Sequence, residues 1–244
     1  MNSTVFLDDK FAEVYPPGIE NHFWTHARNR IILRAVQLAL RGVSGTSRLL
    51  EIGSGAGVVL RYLRDNGIDC NGVEPGEYVM PPELASHVQS GIDCFQIAEE
   101  ERESYAGLLL FDVLEHIANP IGFLSQIRNA YPNARFLLLT VPARMELWSN
   151  YDDHFGHLRR YTSDGLEEEL SKAGFVGVRS RYLFRALYPV MLALKHLKGQ
   201  RATTTFAPSN VIINRLIANC FVLEDMMLSD SIPGTSVIAT AWFP

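Results

Sequence analysis

Two histidines and two aspartates lie close together in "YDDHFGHLRRYT", residues 151–162. Histidine is the side chain best suited to accept a proton near neutral pH, and a neighbouring carboxylate can orient its ring and stabilise the imidazolium. The segment therefore predicts a general base for an oxygen nucleophile, with His154 and His157 as the catalytic candidates. We expect His154 to be the base because two aspartates directly precede it.

The same segment allows two other roles. Its side chains with metal-ligand chemistry are Asp152, Asp153, His154 and His157. Paired histidines with carboxylates suit a divalent ion, although we expect no metal here. Alternatively, contacts with Arg159 and Arg160 would brace the loop, a role that fits His157 because it lies beside them.

A glycine-rich loop lies in "LLEIGSGAGVVLRYL", residues 49–63. Gly53, Gly55 and Gly57 follow an apolar run, where they let the backbone approach a bound ligand, and the helix that follows points its N-terminus at that ligand. A dinucleotide site of the G-x-G-x-x-G/A type needs Gly or Ala at position 58. The residue is Val58, which disfavours a nicotinamide cofactor and an oxidoreductase.

Strand and helix patterns alternate along the chain and would position both segments. The strand signals are "RLLEIG" (48–53), "DCNGVEP" (69–75), "GIDCFQI" (91–97), "GLLLFDVLEHI" (107–117), "RFLLLTVP" (135–142), "VGVRSRYLF" (176–184) and "SVIATAWF" (236–243). Helical spacing occupies residues 22–40, 56–67, 118–131 and 162–175, and mostly helical residues separate the last two strands. The alternation predicts an α/β protein with a doubly wound, mostly parallel seven-stranded sheet and a helical elaboration before the last strand.

The composition and charge of the chain limit the kinds of partner and the compartment that we expect. The chain has 244 residues and a formal net charge of -5. Because non-specific nucleic-acid binding needs a basic surface, we expect no nucleic-acid partner. Three cysteines without metal spacing, no targeting signal and no apolar run of about 20 residues favour a cytoplasmic protein without a membrane span.

The pattern E-x-G-x-G-x-G at residues 51–57 resembles the first motif of class I S-adenosylmethionine-dependent methyltransferases. Two further segments follow in the family's order: "GVEP" (72–75) at the end of the second strand, and "FDVLEHIANP" (111–120) after the fourth. The resemblance implies S-adenosyl-L-methionine as cofactor and a Rossmann-like methyltransferase fold. It also implies that Glu74 accepts hydrogen bonds from the ribose hydroxyls, since a carboxylate can accept from both.

The resemblance predicts a set of cofactor-binding residues. From the three motifs these are Glu51, Gly53, Ser54, Gly55, Gly57, Glu74, Pro75, Asp112, Val113, Leu114 and His116. In the N-terminal helix, Trp24 and Arg28 are predicted to cover the cofactor, with Arg28 meeting its carboxylate, although an ordinary amphipathic helix explains them as well. The family's acid near the end of the third strand, which contacts adenine, has no clear counterpart; Gln96 and Glu99 are the candidates.

The resemblance also predicts how the chain is divided. We expect an N-terminal helical cap (1–45), a Rossmann-like cofactor-binding core (46–184), a helical insertion (185–233) and the final core strand (234–244). The insertion is rich in Leu, Met, Phe and Tyr, which suits either an acceptor pocket or a homodimer face.

A narrower resemblance concerns the second half. "LWSNYDDHFGHLRRYT", "LEEELSKAGF" and "PGTSVIATAWF" are similar to a bacterial methyltransferase subgroup of glycan or secondary-metabolite biosynthesis. This narrower resemblance supports the fold and the cofactor more than the acceptor. We expect methyl transfer by in-line displacement to a small-molecule acceptor, at a hydroxyl oxygen of a secondary metabolite or sugar. An N-methyltransferase acting on a small molecule and a non-catalytic partner protein with the methyltransferase fold are the alternatives.

Overall fold

The computed structural model describes residues 13–45, 47–198, 203 and 208–244. Their seven strands form one sheet in the order β3-β2-β1-β4-β5-β7-β6. The strands are β1 (Leu49–Ile52), β2 (Cys70–Glu74), β3 (Val88–Ser90), β4 (Gly107–Phe111), β5 (Phe136–Pro142), β6 (Val176–Leu183) and β7 (Ser236–Trp242). Strands β1 to β5 pair in parallel, and β7 is antiparallel to both β5 and β6. The predicted α/β class and mostly parallel sheet are confirmed.

Helices cover the two faces of the sheet. They are α1 (Phe23–Leu40), α2 (Val58–Asp65), α3 (Glu99–Arg102), α4 (Pro120–Ala130), α5 (Asn150–Phe155), α6 (Ser163–Lys172), α7 (Leu187–Lys198) and α8 (Val211–Met227). Short 3-10 turns occupy Ile19–Asn21, Leu114–His116 and Met145–Leu147. No helix in the described ranges combines the length and the apolar character that crossing a membrane requires.

The alternation of side chains along β4 divides the core in two. Leu108 and Leu110 belong to the cluster on one face of the sheet, whereas Leu109 and Phe111 belong to the cluster on the other. All five residues of β4 are buried, as expected for a central parallel strand covered by helices on both faces. The sheet is therefore doubly wound, with its ligand-binding edge at the carboxyl ends of β1 to β5.

The third strand lies upstream of its predicted position. We expected it at residues 91–97, but β3 pairs with β2 through Val88 to Ser90 and stops before Gly91, whose φ is 77°. The predicted segment instead begins with a turn, in which Asp93 accepts a hydrogen bond from the backbone N–H of Phe95. Its apolar residues resemble a strand pattern because Cys94 and Ile97 are buried in the core, although they lie in a loop.

Two helices occupy the predicted insertion, and the second packs on α1. The backbone N–H of Phe23 donates to Oδ1 of Asn214 at 2.9 Å, and the rings of Phe23 and Phe221 stack at 5.7 Å. Residues 1–12 of the predicted cap, and residues 199–202 and 204–207 of the predicted insertion, lie outside the described residues. The division into cap, core and insertion stays a prediction, as does the homodimer face.

Candidate active site

A cavity of about 470 Å³ opens at the carboxyl edge of the sheet. Its wall includes Gly53 after β1, Glu74 at the end of β2, Asp112 after β4 and Pro142 at the end of β5. Strand order reverses between β1 and β4, and ligands of open α/β sheets bind in the crevice at such a switch point. The fold therefore places the cavity where a cofactor is expected.

The glycine loop forms one side of this cavity. The φ of Gly55 is 53°, a conformation that side chains other than glycine rarely adopt, and a Cβ there would lie 2.7 Å from the hydroxyl oxygen of Tyr15. Gly53 and Ser54 also line the cavity, whereas Gly57 lies behind it as the N-cap of α2. The backbone is thus bare at Gly55, where the predicted cofactor loop needs it.

Glu74 holds the glycine loop in place. Its Oε2 accepts a hydrogen bond from the N–H of Gly55 at 2.9 Å, and its Oε1 accepts one from the N–H of Gly76 at 2.9 Å. Burial raises the pKa of Glu74, and the two N–H groups oppose that shift. Each oxygen keeps one acceptor site, so the carboxylate can still bind two hydroxyl groups.

Glu51 is a buried acid on the same wall. Only 2% of its surface is exposed, and Oε2 has no hydrogen-bond partner among the described residues. Burial raises its pKa from 4.5 to about 8, against the opposing charge of Arg28. A buried carboxylate oxygen without a partner is costly. S-adenosylmethionine carries an ammonium group that would satisfy it, so the residues present fit this cofactor.

Helix α1 covers the cavity with Trp24 and Arg28, and both line it. Arg28 donates to Oδ2 of Asp112 at 2.7 Å and to Oγ1 of Thr140 at 2.9 Å, and its guanidinium lies 5.0 Å from the centre of the Trp24 ring. We expected Arg28 to face a cofactor carboxylate, but in this structure its charge is paired with Asp112. Asp112 itself has a φ of 58° directly after β4.

A carboxylate and two imidazoles meet on the other side of the cavity. Glu115, His116 and His157 each offer one ligand atom, and these atoms lie within 4.8 Å of one another. Burial raises the pKa of Glu115 well above its ordinary value, and the nearby charge of Asp112 adds to the shift. We call these three residues the Glu–His–His cluster.

Asp152 orients His157. Nδ1 of His157 lies 2.9 Å from Oδ1 of Asp152, which also accepts from Nε of Arg160 at 2.7 Å. Burial alone would raise the pKa of Asp152, but the hydrogen bonds from His157 and Arg160 outweigh it and hold that pKa well below its usual range. The Asp152 carboxylate is therefore ionised and fixes the ring of His157.

His154 lies elsewhere. Its Nε2 is 2.7 Å from Oε2 of Glu13, and it is not among the described residues that line the cavity, whereas His157 is. We expected the preceding aspartates to orient His154, but Asp152 bonds His157, and Asp153 accepts from the indole N–H of Trp148. The structure therefore brings His157, and not His154, to the cavity wall, and the choice of the base stays a prediction.

Gly156 explains why only His157 of these two histidines reaches the cavity wall. It ends α5 with a φ of 72° and turns the chain between the two histidines. His157 is thereby carried to the cavity wall while His154 stays on the helix. Helical spacing says nothing about the direction of the chain after such a turn.

The cavity wall contains the other motif residues with a few exceptions. Pro75, Val113 and His116 line it, whereas Leu114 is buried in the core beside it. Neither candidate for the adenine contact lines it, whereas Asp93 and Cys94, between β3 and α3, do. Gln96 instead accepts a hydrogen bond from the backbone N–H of Asp93, and Glu99 is exposed on α3.

The cavity wall also includes Tyr15 and Glu115, which were not predicted as site residues, and Arg160, which was expected only to brace the loop. Glu115 carries a usable signal, since it is an acid beside His116 on the turn that follows β4. Tyr15 carries none, because only the fold brings it over Gly55.

Comparison with known proteins identifies the family of the chain. The model of a family described as a methyltransferase domain matches residues 23–180, more than half of the chain. No curated protein sequence matches the chain.

Solved structures share the fold at low identity. Phosphoethanolamine N-methyltransferase 2 from Haemonchus contortus, in complex with S-adenosyl-L-methionine, is 15% identical with a TM-score of 0.56; the match covers 99% of this chain and 61% of that one. Magnesium protoporphyrin IX methyltransferase from Synechocystis PCC 6803, with bound S-adenosylmethionine, is 13% identical with a TM-score of 0.51. The match covers 97% of this chain and 90% of that one.

At these identities the structural likeness shows the fold, and the family follows from the sequence match. The predicted resemblance to class I methyltransferases, the enzyme class and the cofactor are confirmed, whereas the bacterial subgroup stays a prediction. The chain belongs to the methyltransferase-domain family and is an S-adenosylmethionine-dependent methyltransferase with the class I fold.

Proposed function

We propose that the chain transfers a methyl group to a hydroxyl oxygen of a small-molecule acceptor. The observation that carries this proposal is that one cavity joins the cofactor loop at Gly55 to His157, an imidazole held by the buried carboxylate of Asp152. A hydroxyl is a weak nucleophile until it loses its proton, whereas a neutral amine can attack directly. An oriented base therefore favours oxygen over nitrogen.

On the cofactor side, carboxylates and backbone groups of the chain would bind and orient the cofactor. S-adenosylmethionine, when bound, supplies a methyl group on a sulfonium, which a nucleophile displaces in line. Glu74 would accept the ribose hydroxyls while its two backbone contacts hold the loop, and the unpartnered oxygen of Glu51 would accept the ammonium group. Gly53 and Gly55 leave room for close approach of the backbone.

On the acceptor side, apolar residues line the same cavity as the Glu–His–His cluster. Tyr151 and Phe155 come from α5, Leu147 from the preceding turn, and Leu187 and Met191 from α7. These residues would exclude water and hold the acceptor against the methyl group, and such positioning can supply about 7 to 11 kcal/mol of the barrier. The lining by α7 supports a role for residues 185–233 in shaping the acceptor pocket.

The test is methyl transfer from isotope-labelled S-adenosylmethionine to a panel of sugars, phenols and other secondary-metabolite alcohols, matched with the corresponding amines. We expect labelled O-methyl products, identified by mass spectrometry, together with saturable binding of S-adenosylhomocysteine. Methylation of the amines alone would show that the oxygen assignment is wrong. A folded chain that does not bind S-adenosylhomocysteine would contradict the whole proposal.

A further inference from the structure

The Glu–His–His cluster is held together by the backbone around it. Glu115 and His116 lie on the 3-10 turn after β4, and His157 follows α5. The backbone N–H of Leu158 donates to the carbonyl of Glu115 at 2.9 Å, and the guanidinium of Arg159 donates to the carbonyl of Ala118 at 3.0 Å. Two hydrogen bonds therefore join these segments next to the cluster.

The carboxylate of Glu115 is buried and lacks a hydrogen-bond partner among the described residues. The residue is 0% exposed, and neither carboxylate oxygen has a hydrogen-bond partner among the described residues. A buried polar group without a partner costs free energy and calls for an explanation such as a bound ion. Glu115 belongs to the cavity wall, so an ion could reach it from the cavity.

The two imidazoles are held in one tautomer. Nδ1 of His157 lies 2.9 Å from the carboxylate of Asp152, and Nδ1 of His116 lies 3.4 Å from the carbonyl oxygen of Gly156. Both partners only accept hydrogen bonds, so each neutral ring carries its proton on Nδ1 and its lone pair on Nε2. Histidines that bind metals are oriented in this way by an outer carboxylate or carbonyl.

We propose that Glu115, His116 and His157 bind one divalent transition-metal ion. Two imidazoles and one carboxylate are the donor set of catalytic zinc sites, which leave a coordination position open. Bond lengths of about 2.1 Å place the donor atoms of a tetrahedral site about 3.4 Å apart. One ring nitrogen of each histidine and one carboxylate oxygen of Glu115 lie within 4.8 Å of one another, so these side chains would have to rotate toward one another when the ion binds.

The ion would select and activate the acceptor, an inference that rests on the proposed methyl transfer to oxygen. A hydroxyl oxygen of the acceptor would occupy the open position on the cavity side. A divalent ion lowers the pKa of a hydroxyl bound to it, as it does for water, so the proton leaves to solvent. With the ion bound, His157 serves as a ligand, and the acceptor class is an alcohol or phenol whose oxygen coordinates metal.

The direct test measures metal binding without cofactor or acceptor. The full chain is treated with a chelator, dialysed and titrated with Co²⁺, with binding followed by calorimetry and by the visible absorption of the bound ion. We expect one Co²⁺ per chain. Glu115→Gln and His157→Gln should each weaken binding more than about 100-fold, because outer partners of a ligand alone are worth about 10- to 100-fold.

His154→Gln is the matched control, since this histidine lies three residues from His157 and outside the cavity wall; Co²⁺ affinity should not change. Binding of S-adenosylhomocysteine by each variant checks that it is folded. The inference is overturned if folded wild-type chain shows no saturable Co²⁺ binding, or if binding survives both cluster substitutions. A loss of binding in His154→Gln alone would also overturn it.

Failure of this inference and failure of the proposed function give different results. If Co²⁺ does not bind but labelled O-methyl products form, the metal site is wrong and methyl transfer to oxygen stands. If Co²⁺ binds with the expected variant pattern but amines alone are methylated, the metal site is supported and the oxygen assignment is wrong.

Discussion

Nδ1 of His157 lies 2.9 Å from Oδ1 of Asp152, whose side chain is fully buried. The same carboxylate binds the guanidinium of Arg160 through both of its oxygens. One buried acid thus fixes the loop after α5 and the direction of an imidazole on the cavity wall. Asp152 therefore both holds the loop and positions His157, and substitutions must separate its effect on stability from its effect on turnover.

His157→Ala should lower turnover by about 10² to 10⁴-fold, because the acceptor's hydroxyl loses the group that assists its deprotonation. Affinity for S-adenosylhomocysteine should stay within a few-fold of wild type, since the loss acts on the transition state. Single-turnover methylation of an identified acceptor measures the rate, and calorimetric titration measures the affinity for S-adenosylhomocysteine. His154→Ala is the comparison, and a larger loss of rate in that variant would contradict the assignment.

Asp152→Ala should destabilise the chain by about 3 to 5 kcal/mol, because it leaves the buried charge of Arg160 without its partner. Urea unfolding followed by circular dichroism measures the change. Asp153→Ala removes a neighbouring but exposed carboxylate, which contacts Trp148, and should change the free energy of unfolding by less than about 1 kcal/mol. Equal effects of the two substitutions would show that Asp152 does not hold the loop.

Gly55→Val should abolish measurable binding of S-adenosylhomocysteine, because a branched side chain at a φ of 53° strains the loop and meets the hydroxyl of Tyr15. Gly67→Val is the control: this glycine also has a positive φ, of 79°, but a Cβ there meets nothing within 4 Å. Calorimetric titration should show normal affinity in the control. Wild-type affinity in Gly55→Val would place the cofactor elsewhere.

Glu74→Ala should weaken S-adenosylhomocysteine binding by about 10- to 100-fold, as expected when charge-assisted hydrogen bonds worth about 1.5 to 3 kcal/mol are lost. The substitution also removes the acceptor for the N–H groups of Gly55 and Gly76, so thermal unfolding without ligand should be measured in parallel. Glu83→Ala, which removes an exposed acid paired with Arg61, is the control. An unchanged dissociation constant in Glu74→Ala would assign the ribose to another partner.

Glu51 should make the ligand-free chain less stable as the pH rises. Its pKa is about 8 in the folded chain and 4.5 when exposed, so between these values the folded state holds a proton that the unfolded state has lost. The free energy of unfolding therefore falls across this window. Glu51→Gln removes that slope. The free energy of unfolding of the variant should therefore rise relative to that of wild type by up to about 5 kcal/mol from pH 4.5 to pH 8.

Urea unfolding at a series of pH values measures this gain. Glu100→Gln, an exposed acid on α3, is the control and should run parallel to wild type. Parallel curves for Glu51→Gln as well would show that Glu51 does not titrate in this window.

Several features could be predicted from the sequence because local patterns determine them. The apolar run of β4 and the glycines after β1 lie where expected, and Glu74 ends β2. In a parallel sheet the carboxyl ends of the strands share one edge, so residues that follow the strands meet there whatever the details of packing. For this reason Gly53, Gly55 and Glu74 could be predicted to line the cavity, whereas the adenine candidates Gln96 and Glu99, which depended on the position of β3, do not line it.

The acceptor side was decided by tertiary structure. Glu115 and His157 are far apart in sequence and meet only because the loops after β4 and β5 converge. His154 and His157 look alike in sequence, but the turn at Gly156 and the hydrogen bonds of Asp152 direct only His157 to the cavity. Side-chain direction after a helix ends depends on such long-range contacts, and no local pattern of residue types encodes them.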